Sequence, residues 1–377
     1  MEVQGLADGR FGPVRQCFAE ILDGQAGTGA AFAAWCDGRL VVDLWGGYAD
    51  SGRRRPWEAG SLVQPYSVSK PFAAVCALRL VQAGRLALDA PVQRYWPGFR
   101  AEATVRHVLS HQAGVVMLER PAPTEAFYDW DWLCALLAAQ PPSWPPGTAH
   151  GESALFYGHL VGELVRRVDG RSVGRFLAEE ICGPAGLEFA FGLSPSQQAR
   201  AVDLTGLDDA FRAGNAAGRP PLYQLAVANP PGAQDGSVVN SAAWRAAEIP
   251  AVNGHGTAAA VAGFYHALAA GRLLSPGMLA EAVTPQCAGP DRVFGDDTAW
   301  GLGFGISEDG YGMGGLGGSS GGTSTAGGYT VGFVTGTAGN HDRVDQLENT
   351  LRECLGLGPV PGAGNPAGGD PAAGDPA

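Results

Sequence analysis

Tyr66-Ser67-Val68-Ser69-Lys70-Pro71-Phe72-Ala73-Ala74-Val75-Cys76-Ala77-Leu78-Arg79-Leu80-Val81-Gln82-Ala83 is the stretch on which the fold turns. From Ser67 to Ala83 the residues Phe72, Val75, Cys76, Leu78, Leu80 and Val81 leave a helix with almost no polar side. A helix apolar all round is a buried one. Ser67 and Lys70 open it, and positions i and i+3 share a face, so hydroxyl and amine come within mutual reach at the helix N-terminus. There the free N–H groups and the positive dipole end favour negative charge developing on an attacked carbonyl. The same field, with burial added, disfavours an ammonium. A lysine held partly neutral is a base, and the serine beside it a nucleophile.

Lys70 is the only lysine in 377 residues; the other 24 of the 25 basic residues are arginine. In a chain with 17 serines a Ser-x-x-Lys spacing alone is a weak signal. The arginine usage strengthens it. Arginine does not deprotonate, so a role that needs a neutral amine is the one place where it cannot stand in for lysine.

The net charge is -12, with 16 % charged and 45 % hydrophobic residues, a globular composition. No basic cluster exceeds Arg53-Arg54-Arg55, which excludes a nucleic-acid surface built on counterion release. No apolar run is long enough for a membrane span, and Met1 to Asp8 lacks a signal-peptide pattern. Cysteines 17, 36, 76, 134, 182, 287 and 354 form no Cys-x-x-Cys. Buried free thiols in a reducing, cytoplasmic setting are the expectation.

Along the chain, β-like runs flank Asp37-Gly38, a hairpin signal. Helical periodicity follows at 67–83, 103–111, 124–139, 154–169, 171–182, 257–271 and 275–282, and again at 342–355. Strand character returns at 300–306 and 329–335. Strands at both chain ends around a helical middle predict an α+β fold, one antiparallel sheet flanked by helices with a helical insertion. The expected division is 1–60 with 235–357 as the α/β domain and 61–234 as a mostly helical domain. The Gly/Pro/Ala/Asp-rich segment 358–377 reads as a disordered tail.

Two other motifs carry little. Gly312-x-Gly314-x-x-Gly317 and Gly317-x-Ser319-x-Gly321 mimic a dinucleotide fingerprint and a nucleophile elbow, but each needs a helix after it and a strand follows here. A Gly-rich approach to a strand, with bare N–H groups beside a substrate, is the reading preferred. His107 and His111 are spaced i, i+4 without a third ligand, so they read as core or capping residues and no metal is expected.

Beyond the Ser-x-x-Lys, several stretches in order resemble the class C β-lactamase-like serine hydrolases, above all the family VIII esterases. They are Leu40-Val41-Val42-Asp43-Leu44-Trp45-Gly46-Gly47, Val105-Arg106-His107-Val108-Leu109-Ser110-His111-Gln112-Ala113-Gly114, Pro146-Gly147-Thr148, Tyr157-Gly158-His159-Leu160-Val161-Gly162-Glu163, Asn253-Gly254-His255-Gly256-Thr257 and Trp300-Gly301-Leu302-Gly303-Phe304-Gly305. The resemblance spans about residues 5–356 and implies a β-lactamase/transpeptidase-like fold, with no cofactor. It implies that Ser67 is acylated and that Lys70 takes its proton. The family's relay tyrosine falls on Glu152, a departure. Its third motif falls on Met313-Gly314-Gly315-Leu316, with Met where His, Lys or Trp is usual. By this resemblance the Ser67 and Leu316 N–H groups form the oxyanion hole, Gly315, Met313 and Asn253 line the substrate site, and Tyr157 is a reserve for the missing phenol.

Two readings of Glu152 stand at this point: a carboxylate general acid/base beside Lys70, or an ion pair that keeps Lys70 protonated. The implied activity is acyl-enzyme hydrolysis of a small ester or amide. A transacylase passing an acyl group from an ester to an amine and a catalytically impaired ligand-binding homologue are the alternatives. Oligomeric state is not legible in the sequence.

Overall fold

The computed structural model describes residues 1–24 and 27–361. Nine antiparallel strands form one sheet in the order β1-β3-β2-β11-β10-β9-β8-β7-β6. They are β1 (Val3–Ala7), β2 (Ala30–Cys36), β3 (Arg39–Gly46), β6 (Cys287–Pro290), β7 (Asp297–Trp300), β8 (Gly305–Ile306), β9 (Gly310–Gly314), β10 (Ser320–Ser324) and β11 (Tyr329–Thr335). A two-stranded sheet pairs β4 (Phe189–Ala190) with β5 (His255–Gly256). The chain ends meet where β11 pairs β2, with Phe333 opposite Phe32. β11 is buried along its whole length.

The β2–β3 hairpin turns at Asp37 (φ 50) and Gly38 (φ 74), both left-handed, as the two-residue turn that suits strand twist requires. One face of the sheet is covered by α1 (Gly12–Asp23) and by the C-terminal helix, with Val14, Phe18 and Leu22 meeting Val344, Leu347 and Leu351 in one cluster. The other face packs on a helix over Ala258–Ala269 and, beyond it, the helical region. At the heart of that region runs α2 (Lys70–Gln82), buried from Lys70 to Leu80 except at Arg79. Beside it lies α3 (Tyr157–Asp169). The helices over Ala258–Ala269 and Asp342–Leu355 are α4 and α5.

Several elements differ from the sequence expectation. The helix expected at 103–111 is only Val105–Leu109, closed by Thr104 and His107 in a reciprocal capping box and ended at His111, whose φ is 61. The run 124–139 divides at Asp129, which caps Trp130–Ala139 by accepting from the Trp132 N–H. The strand expected over 300–306 breaks into β7 and β8 because Gly303 (φ 91) turns the chain. Its neighbours β9 and β10 occupy the glycine-rich stretch in place of a loop. A Cβ at Gly310 would lie 1.9 Å from Thr323 O and one at Gly321 would lie 2.3 Å from Val261 Cγ1, so close packing makes strands of residues with little intrinsic preference for them. Both rival glycine motifs therefore lie on an antiparallel pair with no helix after them.

Of the expected tail, residues 358–361 are described. Arg352 Nε donates to Gly358 O (2.6 Å) and Val360 N to Asn349 Oδ1 (2.9 Å). The remainder, 362–377, lies outside the described residues. All seven cysteines are free. Among the described residues no helix is long and apolar enough to cross a membrane, and no group of three or more His, Cys, Asp or Glu could hold a metal ion.

Candidate active site

Ser67 stands in a 3-10 turn, Tyr66–Ser69, that leads directly into α2. Tyr66 has φ 49, a left-handed conformation unusual for an aromatic residue, and its hydroxyl is tied to Ala233 O at 3.0 Å. Such strain persists where the surroundings over-determine it, and here it turns the half-buried Ser67 toward a cavity of about 90 Å³. Ser67, Glu152, Leu155, Tyr223, Phe294 and Leu316 line that cavity among others.

Lys70 is fully buried. Its Nζ lies 2.7 Å from Ser67 Oγ, 2.7 Å from Glu152 Oε1 and 3.3 Å from Ala251 O, three acceptors for the three N–H bonds of an ammonium. Ala251 comes this close because α3 crosses it at Gly158, where a Cβ would lie 2.3 Å from Ala251 N. Burial pulls the Lys70 amine below the usual lysine range, and the Glu152 carboxylate opposes that shift. Glu152 is also in reach of the serine: Ser67 Oγ donates to Glu152 Oε1 at 3.3 Å. Lysine, carboxylate and hydroxyl thus form a closed triangle, with Glu152 but not Lys70 facing the cavity.

Glu152 lies on a loop with no helix or strand of its own, fixed by three successive N–H groups. Gly151 N donates to His111 O (3.1 Å), Glu152 N to Asp291 Oδ2 (2.8 Å) and Ser153 N to His111 Nδ1 (3.2 Å). Because Nδ1 accepts, the ring proton of His111 is on Nε2. Burial, with Lys70 and His150 nearby, keeps this imidazole well below its ordinary pKa and therefore neutral. It packs between Tyr157 and Trp300, at 4.6 and 4.4 Å between ring centroids. Asp291 carries no mark in the sequence, and His111, read there as a core or capping residue, is buried as expected; that they support Glu152 was not visible, since they lie 139 and 42 residues from the groups they hold.

Opposite Glu152, the loop after β9 meets the loop before Ser67. A Cβ on Gly315 would lie 2.1 Å from Pro65 O, so only glycine allows the approach. Gly315 N is used, donating to Ser319 O at 2.7 Å. Its role is close packing, not donation to substrate. Leu316 N makes no hydrogen bond among the described residues, and Leu316 lines the cavity beside Ser67.

Three other expected site residues lie elsewhere. Tyr157 is buried, its hydroxyl donating to Leu109 O (3.1 Å), and burial pushes the phenol up; it does not line the cavity and is no substitute for the family tyrosine. Asn253 is also fully buried, its amide donating to Trp244 O and Ala247 O (2.8 Å each) and its Oδ1 accepting from Ile249 N (2.8 Å). With its side chain committed to that loop, it has no donor left for substrate. Met313 is buried in β9 and absent from the cavity wall around Ser67, where an apolar side chain has nothing polar to offer. His107 serves as a helix cap, not a ligand.

A family model described as Beta-lactamase matches residues 14–353. An esterase/beta-lactamase of Mycobacterium tuberculosis, LipL, is 34 % identical over 285 residues, 71 % of this chain and 65 % of that protein. The chain thus spans less than two thirds of that curated relative's length. A family VIII carboxylesterase crystal structure superposes with a TM-score of 0.85 at 34 % identity, over 94 % of this chain and 100 % of the other. A penicillin-binding protein homologue from Caulobacter crescentus does so with a TM-score of 0.84 at 33 % identity, over the same shares.

Proposed function

The chain belongs to the β-lactamase family, and from that premise we propose that it is an esterase-like serine hydrolase working through an acyl-Ser67 intermediate. The observation that carries this reading is the triangle of Ser67 Oγ, Lys70 Nζ and Glu152 Oε1, with sides of 2.7, 2.7 and 3.3 Å, at the wall of the cavity.

Lys70 and Glu152 hold one mobile proton between them, as ammonium with carboxylate or as amine with carboxylic acid. When Ser67 Oγ attacks a substrate carbonyl, its proton goes to the carboxylate in the first form and to the amine in the second. Both routes end in the same state, an ammonium beside a carboxylic acid. A bond forms from Oγ to the carbonyl carbon, and the oxyanion meets the Ser67 and Leu316 N–H groups. As the bond to the leaving group breaks, Glu152, the partner that faces the cavity, supplies the proton that the leaving oxygen or nitrogen needs. Water then enters by the reverse steps and frees the acid. In this reading Glu152 does the work of the missing phenol, and the ion pair is the resting form of the base. Leu155, Val252 and Leu316 favour a small, largely apolar acyl group.

A fluorophosphonate or a p-nitrophenyl ester should leave its mass on Ser67 and leave none on the Ser67→Ala protein. No adduct with any acylating probe would sink the enzyme reading in favour of a binding protein. Product analysis with added amines separates transfer to water from transfer to an amine.

A further inference from the structure

The loop that carries Glu152 is joined to the far wall of the substrate cavity through one buried side chain. Asp291, 2 % exposed, stands between β6 and β7. Its Oδ2 accepts from Glu152 N at 2.8 Å, and its Oδ1 accepts from Val293 N and Phe294 N, both at 2.8 Å. Phe294 lines the cavity, packing edge-on to Tyr223 (5.3 Å between centroids) and beneath the Arg219 guanidinium (5.4 Å). Among the described residues no cation is paired with Asp291; the three partners of its carboxylate there are all backbone N–H groups. A buried carboxylate without a cation is costly, and what this one accomplishes is to hold two walls of the site in register.

Building on the acyl-Ser67 reading, we propose that Asp291 is a positioning residue: its carboxylate clamps the Glu152 loop to the Phe294 wall and so places the Glu152 acid over Ser67. The two oxygens are unequal. Oδ1 holds two N–H groups and Oδ2 one, so a proton taken up by Asp291 goes to Oδ2, the oxygen that holds Glu152. An asparagine meets the same choice: with its oxygen toward Val293 and Phe294, its NH2 faces the Glu152 N–H, donor against donor. Acidification and the Asp291→Asn change therefore release the same arm of the clamp.

The groups facing Asp291 set where this happens. Glu152, with Lys70 behind it, is on the catalytic side, and the Cys287 thiol lies on β6. His150, held by Thr298 Oγ1, flanks the clamped loop, and the Asp291 loop itself brings Arg292 and the Arg219–Asp296 pair. Burial first, and then the Glu152 charge, raise the Asp291 carboxyl to about 6. The folded value lies above the ordinary aspartate value of 3.8, so ionised Asp291 weakens the fold above about pH 6 and ceases to do so as the pH falls toward 3.8. On acidification its contribution to stability improves while the clamp opens.

The test is the rate of acyl-Ser67 formation from a p-nitrophenyl ester, followed by quenched intact mass between pH 5 and 8. The wild-type rate should fall as the pH drops through about 6. In Asp291→Asn the rate at pH 8 should fall about tenfold, since one of the three tethers of the Glu152 loop is lost, with apparent substrate affinity little changed and the limb near pH 6 gone. A folded variant that keeps the wild-type rate, or the limb, overturns the proposal. If that variant does not fold, hydrogen exchange in the wild-type protein decides. Corrected for intrinsic rates, segment 150–154 should lose protection between pH 7.5 and 5 while 291–296, still held through Oδ1, keeps it; unchanged protection at 150–154 overturns it. Failure of the wild type to acylate at Ser67 at any pH would instead remove the hydrolase reading on which the clamp rests.

Discussion

The two halves of the proton-handling pair are held by opposite means. Lys70 is placed by local geometry: three residues after Ser67, on the first turn of a helix whose next ten residues are almost all buried. Its position is set as soon as α2 forms and packs. Glu152 lies on an irregular loop whose placement depends on His111, 42 residues from the N–H that its ring accepts, and on Asp291, 139 residues away. The first half resists change because burial locks it. The second half is where the chain departs from the family pattern, and it is suspended from hydrogen bonds that single substitutions can cut.

The strongest challenge to this contrast falls on the helical half. Lys70→Arg keeps the charge but removes the ability to release a proton, and acyl-Ser67 formation should drop by about three orders of magnitude or more. A near-normal rate would show that Glu152 alone is the base. On the loop side, His111→Asn tolerates the left-handed backbone at φ 61 but withdraws the ring from Ser153 N. The acylation rate should fall about tenfold, with protection at 151–153 reduced, since only one of several tethers is lost. A smaller effect on rate and a clearer one on stability is expected at Gly315→Ala. The added Cβ lies 2.1 Å from Pro65 O, and relieving it should cost about 1–3 kcal/mol in thermal or urea unfolding. An unchanged melting temperature would show that the loops around Ser67 are looser than this contact implies.

The same contrast explains what could be read from the sequence. The helix from Ser67, the Asp37-Gly38 hairpin and the sheet shared by both chain ends rest on periodicity and turn chemistry within a few residues, and these were legible. Strands β9 and β10 were not, because glycines at 310, 312 and 321 answer to neighbours that only the folded sheet supplies. In the site, Ser67, Lys70 and Glu152 converge on one another. Tyr157 and Asn253 do not reach the cavity, since proximity along the chain says nothing about which way a buried hydroxyl or amide is drawn. Asp291 left no signature, and His111 was legible only as a core or capping residue, because what both hold is backbone.

The claim that joins the two halves is that Glu152 and Lys70 share the proton taken from Ser67. Its most direct test is acyl-Ser67 formation in Glu152→Gln, measured at pH 7 beside the wild type with one p-nitrophenyl ester. An amide neither takes the serine proton nor hands one to the leaving group, so acylation about 100-fold slower is the expected result. Acylation at the wild-type rate would contradict it and reduce Glu152 to a counter-ion of Lys70.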